Sequence, residues 1–161
     1  MWFFCVNLCE SASYLTNGKE EKVTAILKKA EDIKWEKIGN FFDIDEEKLP
    51  GVKALKEAEV SILFDSSQCK HFGSVLEKWP PVTFDWHYEC DEIFYIISGG
   101  PMKVTCEGKV MEGAAGDAFF FSRGTDLTFE IKNNLVGLTF HYPTFEEIFK
   151  RYKEYAEQPK K

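Results

Sequence analysis

Glu92 is the residue of this chain best placed to do chemistry. It follows an acidic, aromatic approach, Phe84-Asp85-Trp86-His87-Tyr88-Glu89-Cys90-Asp91, and leads into the apolar run Ile93–Ile97. A carboxyl group in aromatic surroundings is desolvated, which raises its pKa toward the range where a general acid or base works. Tyr88 offers a hydroxyl beside it and Trp86 an apolar wall. The plainer structural reading is a half-buried carboxylate held by a tyrosine or a backbone donor, and the residues allow both. His71 neighbours Cys69, but a Cys-His nucleophile pair needs a spatial partner that the sequence does not supply, so it reads as a loop histidine. Asp117, after Gly116, is expected to stabilise its turn. Arg123 reads either as an anion contact at the rim of the site or as half of a surface ion pair.

Length and composition bound what can position these groups. A chain of 161 residues, 44% hydrophobic, fits one domain with a sizeable core. Its 15 phenylalanines point to a core built largely of rings. The formal net charge of −7 and the lack of a basic run exclude nucleic acid and anionic membranes as expected partners. Five cysteines, an odd number without a CxxC pair, read as reduced thiols of a cytoplasmic protein. Met1–Cys9 is apolar but too short to span a bilayer and lacks a basic leader, so it is expected to be a barrel strand or a flap on a neighbouring subunit.

Strand signals dominate the chain. Val23–Ala30 fits a helix or a short strand, and Ile33–Ile38 alternates as a half-buried strand. Asn17-Gly18 signals a turn, and Asn40–Lys53 reads as a long irregular connection whose acids lack EF-hand spacing. Further strands are expected at Val60–Phe64, Phe72–Lys78, Thr83–Tyr88, Ile93–Ile97, Met102–Cys106, Ala118–Phe121, Leu127–Ile131 and Leu135–Tyr142, with a turn at Glu107-Gly108. Thr144-Phe145-Glu146-Glu147 has the form of a capping box. It opens a helix whose stripe of Phe145, Ile148, Phe149, Tyr152 and Tyr155 is expected to pack on the barrel exterior or on a partner. Gln158–Lys161 is expected to fray. Short strands, Gly and Pro turns and one clear helix make a β-barrel or jelly roll.

Two segments resemble cupin motifs. Glu92 followed by six residues and Gly99 is similar to the end of the first, and Gly116-Asp117 leading through Phe119–Phe121 to Gly124 is similar to the second. Within the cupins, Phe84-Asp85-Trp86 followed by Cys90-Asp91-Glu92-Ile93 resembles the EutQ-type ethanolamine-utilisation proteins, over roughly Val60 to Pro143. The resemblance implies an all-β, cupin-type double-stranded β-helix barrel in a single domain spanning residues 1–161, with the barrel at about 23–143 and the helix at about 144–157. It also implies a homodimer and a place in ethanolamine utilisation or a related bacterial pathway.

Metal-binding cupins carry histidines at positions that here are Trp86, Tyr88 and Leu127, so no cofactor is expected. One matching carboxylate does not make a catalytic metal site. A shifted set of His87, Glu92 and His141, with Asp85 nearby, is the alternative. It would hold Fe, Mn, Ni or Zn for a lyase, isomerase or dioxygenase. It requires His87 to turn inward, against strand alternation. Phosphoryl transfer, also linked to EutQ relatives, finds no P-loop here. The expected function is therefore small-molecule binding, with Glu92 and Tyr88 as the candidate catalytic pair. Trp86, Phe94, Phe119, Phe121 and Leu127 are expected to contact the ligand. A non-catalytic interaction module, docking through the terminal helix, is the remaining alternative.

Overall fold

The computed structural model describes residues 25–41, 45–49 and 51–158. Within them lie β1 (Glu36–Lys37), α1 (Val52–Glu57), β2 (Glu59–Phe64), β3 (Gly73–Trp79), β4 (Val82–His87), β5 (Asp91–Gly99) and β6 (Met102–Cys106). There follow β7 (Lys109–Gly113), β8 (Ala118–Phe121), β9 (Asp126–Ile131), β10 (Leu135–Tyr142) and α2 (Phe145–Glu157). The strands form two antiparallel sheets, ordered β1-β2-β3-β10-β5-β8 and β4-β9-β6-β7. This is the expected all-β jelly roll with a C-terminal helix.

Side-chain alternation makes the two sheets face each other. Along β9, Leu127, Phe129 and Ile131 are buried while Asp126 and Thr128 are exposed. On β5, Phe94 and Ile96 point inward while Ile93, Tyr95 and Ile97 face out. Rings fill the space between, as the phenylalanine content suggests. Trp79 stacks on Phe84 at 5.2 Å, Phe84 on Phe129 at 5.0 Å, and Phe121 meets Phe129 edge-on at 5.5 Å. Gly137 permits part of this packing: a methyl group at that position would collide with the Phe94 ring. At Gly99, φ of +80° and the close Asn134 carbonyl leave room for no side chain.

Several expectations give way here. Residues 25–29 form no regular element and Ala30–Asp32 make a single 3₁₀ turn. Ile26 and Leu27 are exposed, so the apolar face read at Val23–Ala30 has no packing to support a helix. The strand read at Ile33–Ile38 shrinks to β1, both residues exposed, and Ile38 turns inward at the start of a 3₁₀ turn. The irregular connection instead runs into α1, whose Val52 and Leu55 are buried. β7 is an additional strand, joined to β6 by a turn in which Glu107 and Gly108 both have positive φ. Thr144 flanks α2 without a side-chain cap, and Glu147 pairs with Arg151 at 3.5 Å rather than reaching back. The segment Met1–Cys9, the Asn17-Gly18 turn and Pro159–Lys161 lie outside the described residues, as does Val23.

Helix α2 does more than pack on the exterior. Its Ile148 and Tyr152 are buried, and together with Phe145 they line a cavity between the sheets. No helix among the described residues is long and apolar enough to cross a membrane.

Candidate functional site

The interior cavity has a volume of about 90 Å³. Strand alternation delivers its polar side chains. Glu77 shares the inward face of β3 with Val75 and Trp79. Glu92 and His141 are directly paired across β5 and β10, and both line the cavity. Tyr88 stands just beyond β4, where its backbone N–H donates to the Thr125 carbonyl at 2.9 Å. Behind Tyr88 lies Phe121, with ring centroids 4.9 Å apart, and this contact fixes the phenol.

The hydrogen bonds set each group's role. Tyr88 Oη–H donates to Glu92 Oε1 at 3.1 Å. Trp79 Nε1–H donates to Glu77 Oε2 at 2.7 Å, and Thr139 Oγ1–H to Glu77 Oε1 at 2.8 Å. Trp86 Nε1–H donates to Tyr152 Oη at 2.9 Å, and the Glu89 amide donates to the same oxygen at 3.3 Å. His141 Nδ1 lies 3.0 Å from the Pro143 carbonyl, which can only accept, so Nδ1 carries the ring proton. His141 Nε2 is then a lone-pair acceptor, buried and without a hydrogen-bond partner.

Electrostatics follow from this burial. Desolvation raises the Glu92 carboxyl well above its usual range, and the nearby Glu77 charge raises it further against the Tyr88 hydrogen bond. Glu77 is raised by desolvation too, moderated by the bonds from Trp79 and Thr139. Burial holds the phenols of Tyr88 and Tyr152 protonated and pushes the Cys90 thiol up. It pushes His141 down, toward the neutral ring. The cavity thus joins two carboxyls that resist ionising together to a neutral imidazole and a hydroxyl donor.

Trp86, Tyr88, Glu92, Phe94 and His141 come together here. Phe119 and Phe121 stack on each other at 5.7 Å and belong to the ring core behind Tyr88 rather than to the cavity wall. Leu127 pairs with Trp86 across β4 and β9 but lines a separate outer groove, and His87 lines that groove too. His87 faces away from the cavity, as its place in β4 dictates. Its Nδ1 lies 2.7 Å from Asp126 Oδ1, its Nε2 lies 3.3 Å from Glu89 Oε1, and its ring stacks on Tyr155 at 4.2 Å.

The alternative metal set is therefore divided between two surfaces, and Asp85 accepts a hydrogen bond from Thr128 in the outer groove. Among the described residues, no three His, Cys, Asp or Glu side chains gather as metal ligands. The residues present do not fit the metal of metal-binding cupins. Arg123 makes the ion pair, with Nη2 3.1 Å from Glu89 Oε2, and Asp117 Oδ2 accepts the Ala114 amide at 2.8 Å within its turn.

Sequence reasoning passed over Glu77 and assigned Tyr152 elsewhere. An acid on the apolar phase of a strand, between Val75 and Trp79, was the available signal for Glu77.

The family described as "Ethanolamine utilisation protein EutQ" matches residues 20–146. The chain belongs to the EutQ family. The EutQ protein of Clostridium difficile is similar at 19% identity and a TM-score of 0.54, covering 71% of this chain and 89% of that one. An RmlC-like cupin of Shewanella frigidimarina is similar at 15% identity and a TM-score of 0.54, covering 77% and 96%. At these identities both relatives establish that this EutQ-family chain has the cupin fold. No curated protein matches it.

Proposed function

We propose that this EutQ-family cupin binds a small molecule in the interior cavity and handles a proton there through Glu92, in ethanolamine utilisation or a related pathway of the bacterial cytoplasm. The pairing of Tyr88 and Glu92 in the wall of an aromatic cavity carries this reading. Tyr88 holds Oε1, which leaves Oε2 as the oxygen that takes or gives a proton. Desolvation, with the Glu77 charge added to it, keeps Glu92 from ionising easily, so Glu92 acts as an acid when protonated and as a strong base once the proton has left. The family's description supports the pathway, and the free Cys69, Cys90 and Cys106 suit a reducing compartment.

The indole N–H groups of Trp79 and Trp86 are bonded within the cavity wall and give separate NMR reporters. A panel of compounds of about four non-hydrogen atoms, the size a cavity of about 90 Å³ accepts, is titrated into labelled protein. Binding in the cavity moves both indole signals and is weakened by Glu92→Gln. Shifts confined to other surfaces, or none at all, refute the reading.

The outer face of the larger sheet supports a homodimer. Ile93 sits in register between Phe120 on β8 and Phe140 on β10, and all three are exposed. Tyr95, Ile97 and Tyr142 extend the same surface. A contiguous apolar sheet face of this kind is what a second copy would cover.

A further inference from the structure

The cavity wall is unbalanced in its hydrogen-bonding capacity. On the acceptor side stand the carboxyls of Glu77 and Glu92, and His141, with its buried and unpartnered Nε2, stands in the same wall. His141 is only 5% exposed, and its Nε2 has no protein partner. A buried acceptor left empty costs free energy unless something occupies it. On the donor side, Tyr88, Trp79, Trp86 and Thr139 already spend their hydrogens on Glu92, Glu77, Tyr152 and Glu77. Among the described residues lining the cavity there is no lysine or arginine. The nearby Arg151 turns instead to Glu147 and to the Glu89 carbonyl. What the cavity lacks is a cation bearing several N–H donors.

The rest of the wall is largely apolar ring surface, including Trp79, Phe84, Trp86 and Phe129. Such surface receives an alkyl chain. Size narrows the choice. A dry cavity of about 150 Å³ accepts benzene, so about 90 Å³ accepts on the order of four non-hydrogen atoms. A guanidinium with an alkyl stem is too large. A primary ammonium, with its three N–H donors, on a two- or three-carbon chain fits.

We propose that the cavity is a site for a small primary alkylammonium ion, its N–H donors directed at Glu77, Glu92 and His141 Nε2 and its chain against the rings. This deepens the small-molecule reading above and rests on it. The ammonium takes the place of a proton on the carboxyl pair, so binding releases a proton and tightens as pH rises. The titratable groups that face the pair are Tyr88 and Cys90 on the β4–β5 connection, His141 on β10 and Tyr152 on α2. None of them brings a positive charge near neutral pH to oppose the ion.

The test compares three probes of equal size on the full-length protein by isothermal titration calorimetry: n-propylammonium, 1-propanol and acetate. Propylammonium is expected to bind at least tenfold more tightly than either of the others. Its affinity is expected to rise from pH 5.5 to pH 8, with protons released as judged from buffers of different ionisation enthalpy. Glu77→Gln and Glu92→Gln, which mimic the protonated carboxyls, are each expected to weaken it at least tenfold. Equal or tighter binding of 1-propanol or acetate overturns the ammonium assignment and leaves the pocket reading standing. Failure of all three probes to bind overturns both. The probe comparison uses the wild-type chain, so it decides the matter even where a variant fails to fold.

Discussion

Replacing Glu92 by Gln tests the electrostatics of the cavity without changing its shape. Glutamine resembles the protonated carboxyl and still presents Oε1 to the Tyr88 hydroxyl. In the folded protein, desolvation and the Glu77 charge raise the Glu92 pKa well above its usual value of 4.5, whereas in the unfolded chain it returns to that value. Between those two pKa values the native state holds a proton that the unfolded state has released. Stability contributed by Glu92 is therefore complete below pH 4.5 and is lost as pH rises to the folded pKa. One proton gives a slope of about 1.4 kcal/mol per pH unit. His141 works in the opposite sense: burial lowers its pKa from 6.5, so its contribution is lost as pH falls. It is present in both proteins and cancels in their difference.

Urea melts followed by tryptophan fluorescence, at half-unit steps from pH 4.5 to pH 9, give that difference. Glu92→Gln should gain on wild type by about 1.4 kcal/mol per pH unit until the Glu92 pKa is passed, and then hold level. With urea m-values of about 1–3 kcal/mol/M, two pH units displace the midpoints by roughly 1–3 M. A difference that stays constant across the range means that Glu92 ionises like an exposed carboxyl, and the acid–base reading of the cavity fails with it.

Further outcomes follow from single contacts. Tyr152→Phe removes the oxygen that accepts from Trp86 Nε1–H and the Glu89 amide, and should cost about 1–3 kcal/mol in urea unfolding; an unchanged midpoint would contradict the seating of α2. Cys90, buried with its thiol pushed up, should resist iodoacetamide in native protein while the partly exposed Cys69 and Cys106 react, as peptide mapping would reveal. Modification of Cys90 ahead of both would count against its burial. Phe120→Glu with Phe140→Glu places charge on the outer sheet face, and light scattering should report a dimer for wild type and a folded monomer for the double variant. A wild-type monomer refutes the dimer outright.

Most of the barrel is legible because its strands alternate. Leu127-Thr128-Phe129-Glu130-Ile131 states which face is buried, and the bounds read for Met102–Cys106, Ala118–Phe121 and Leu135–Tyr142 match the observed strands. Alternation also places His87 outside the cavity and Trp86 inside it. What escapes the sequence lacks periodicity or depends on tertiary contacts. β7 is a mostly exposed edge strand with little contrast between its faces, and α1, six residues long, is too short to show a helical period. Glu77 is overlooked because an acid in a strand reads as solvent-facing until Val75 and Trp79 fix the phase. Phe119, Phe121 and Leu127 cannot be separated from cavity-lining residues by composition, since apolar side chains of the core and of the cavity wall are chemically the same. The capping box does not form: Thr144 makes no side-chain cap, and the Glu147 side chain pairs with Arg151 one turn further on.

Helix α2 touches two places that share no other wall beyond Trp86. Tyr152 lines the interior cavity, and Tyr155, less than one turn later, lies flat on His87 in the outer groove. The two tyrosines ride on one rigid rod, so a tilt that frees one disturbs the other. The groove at His87 and the wall of the inner chamber thus rest on the same helix, and α2 cannot move at one without moving at the other.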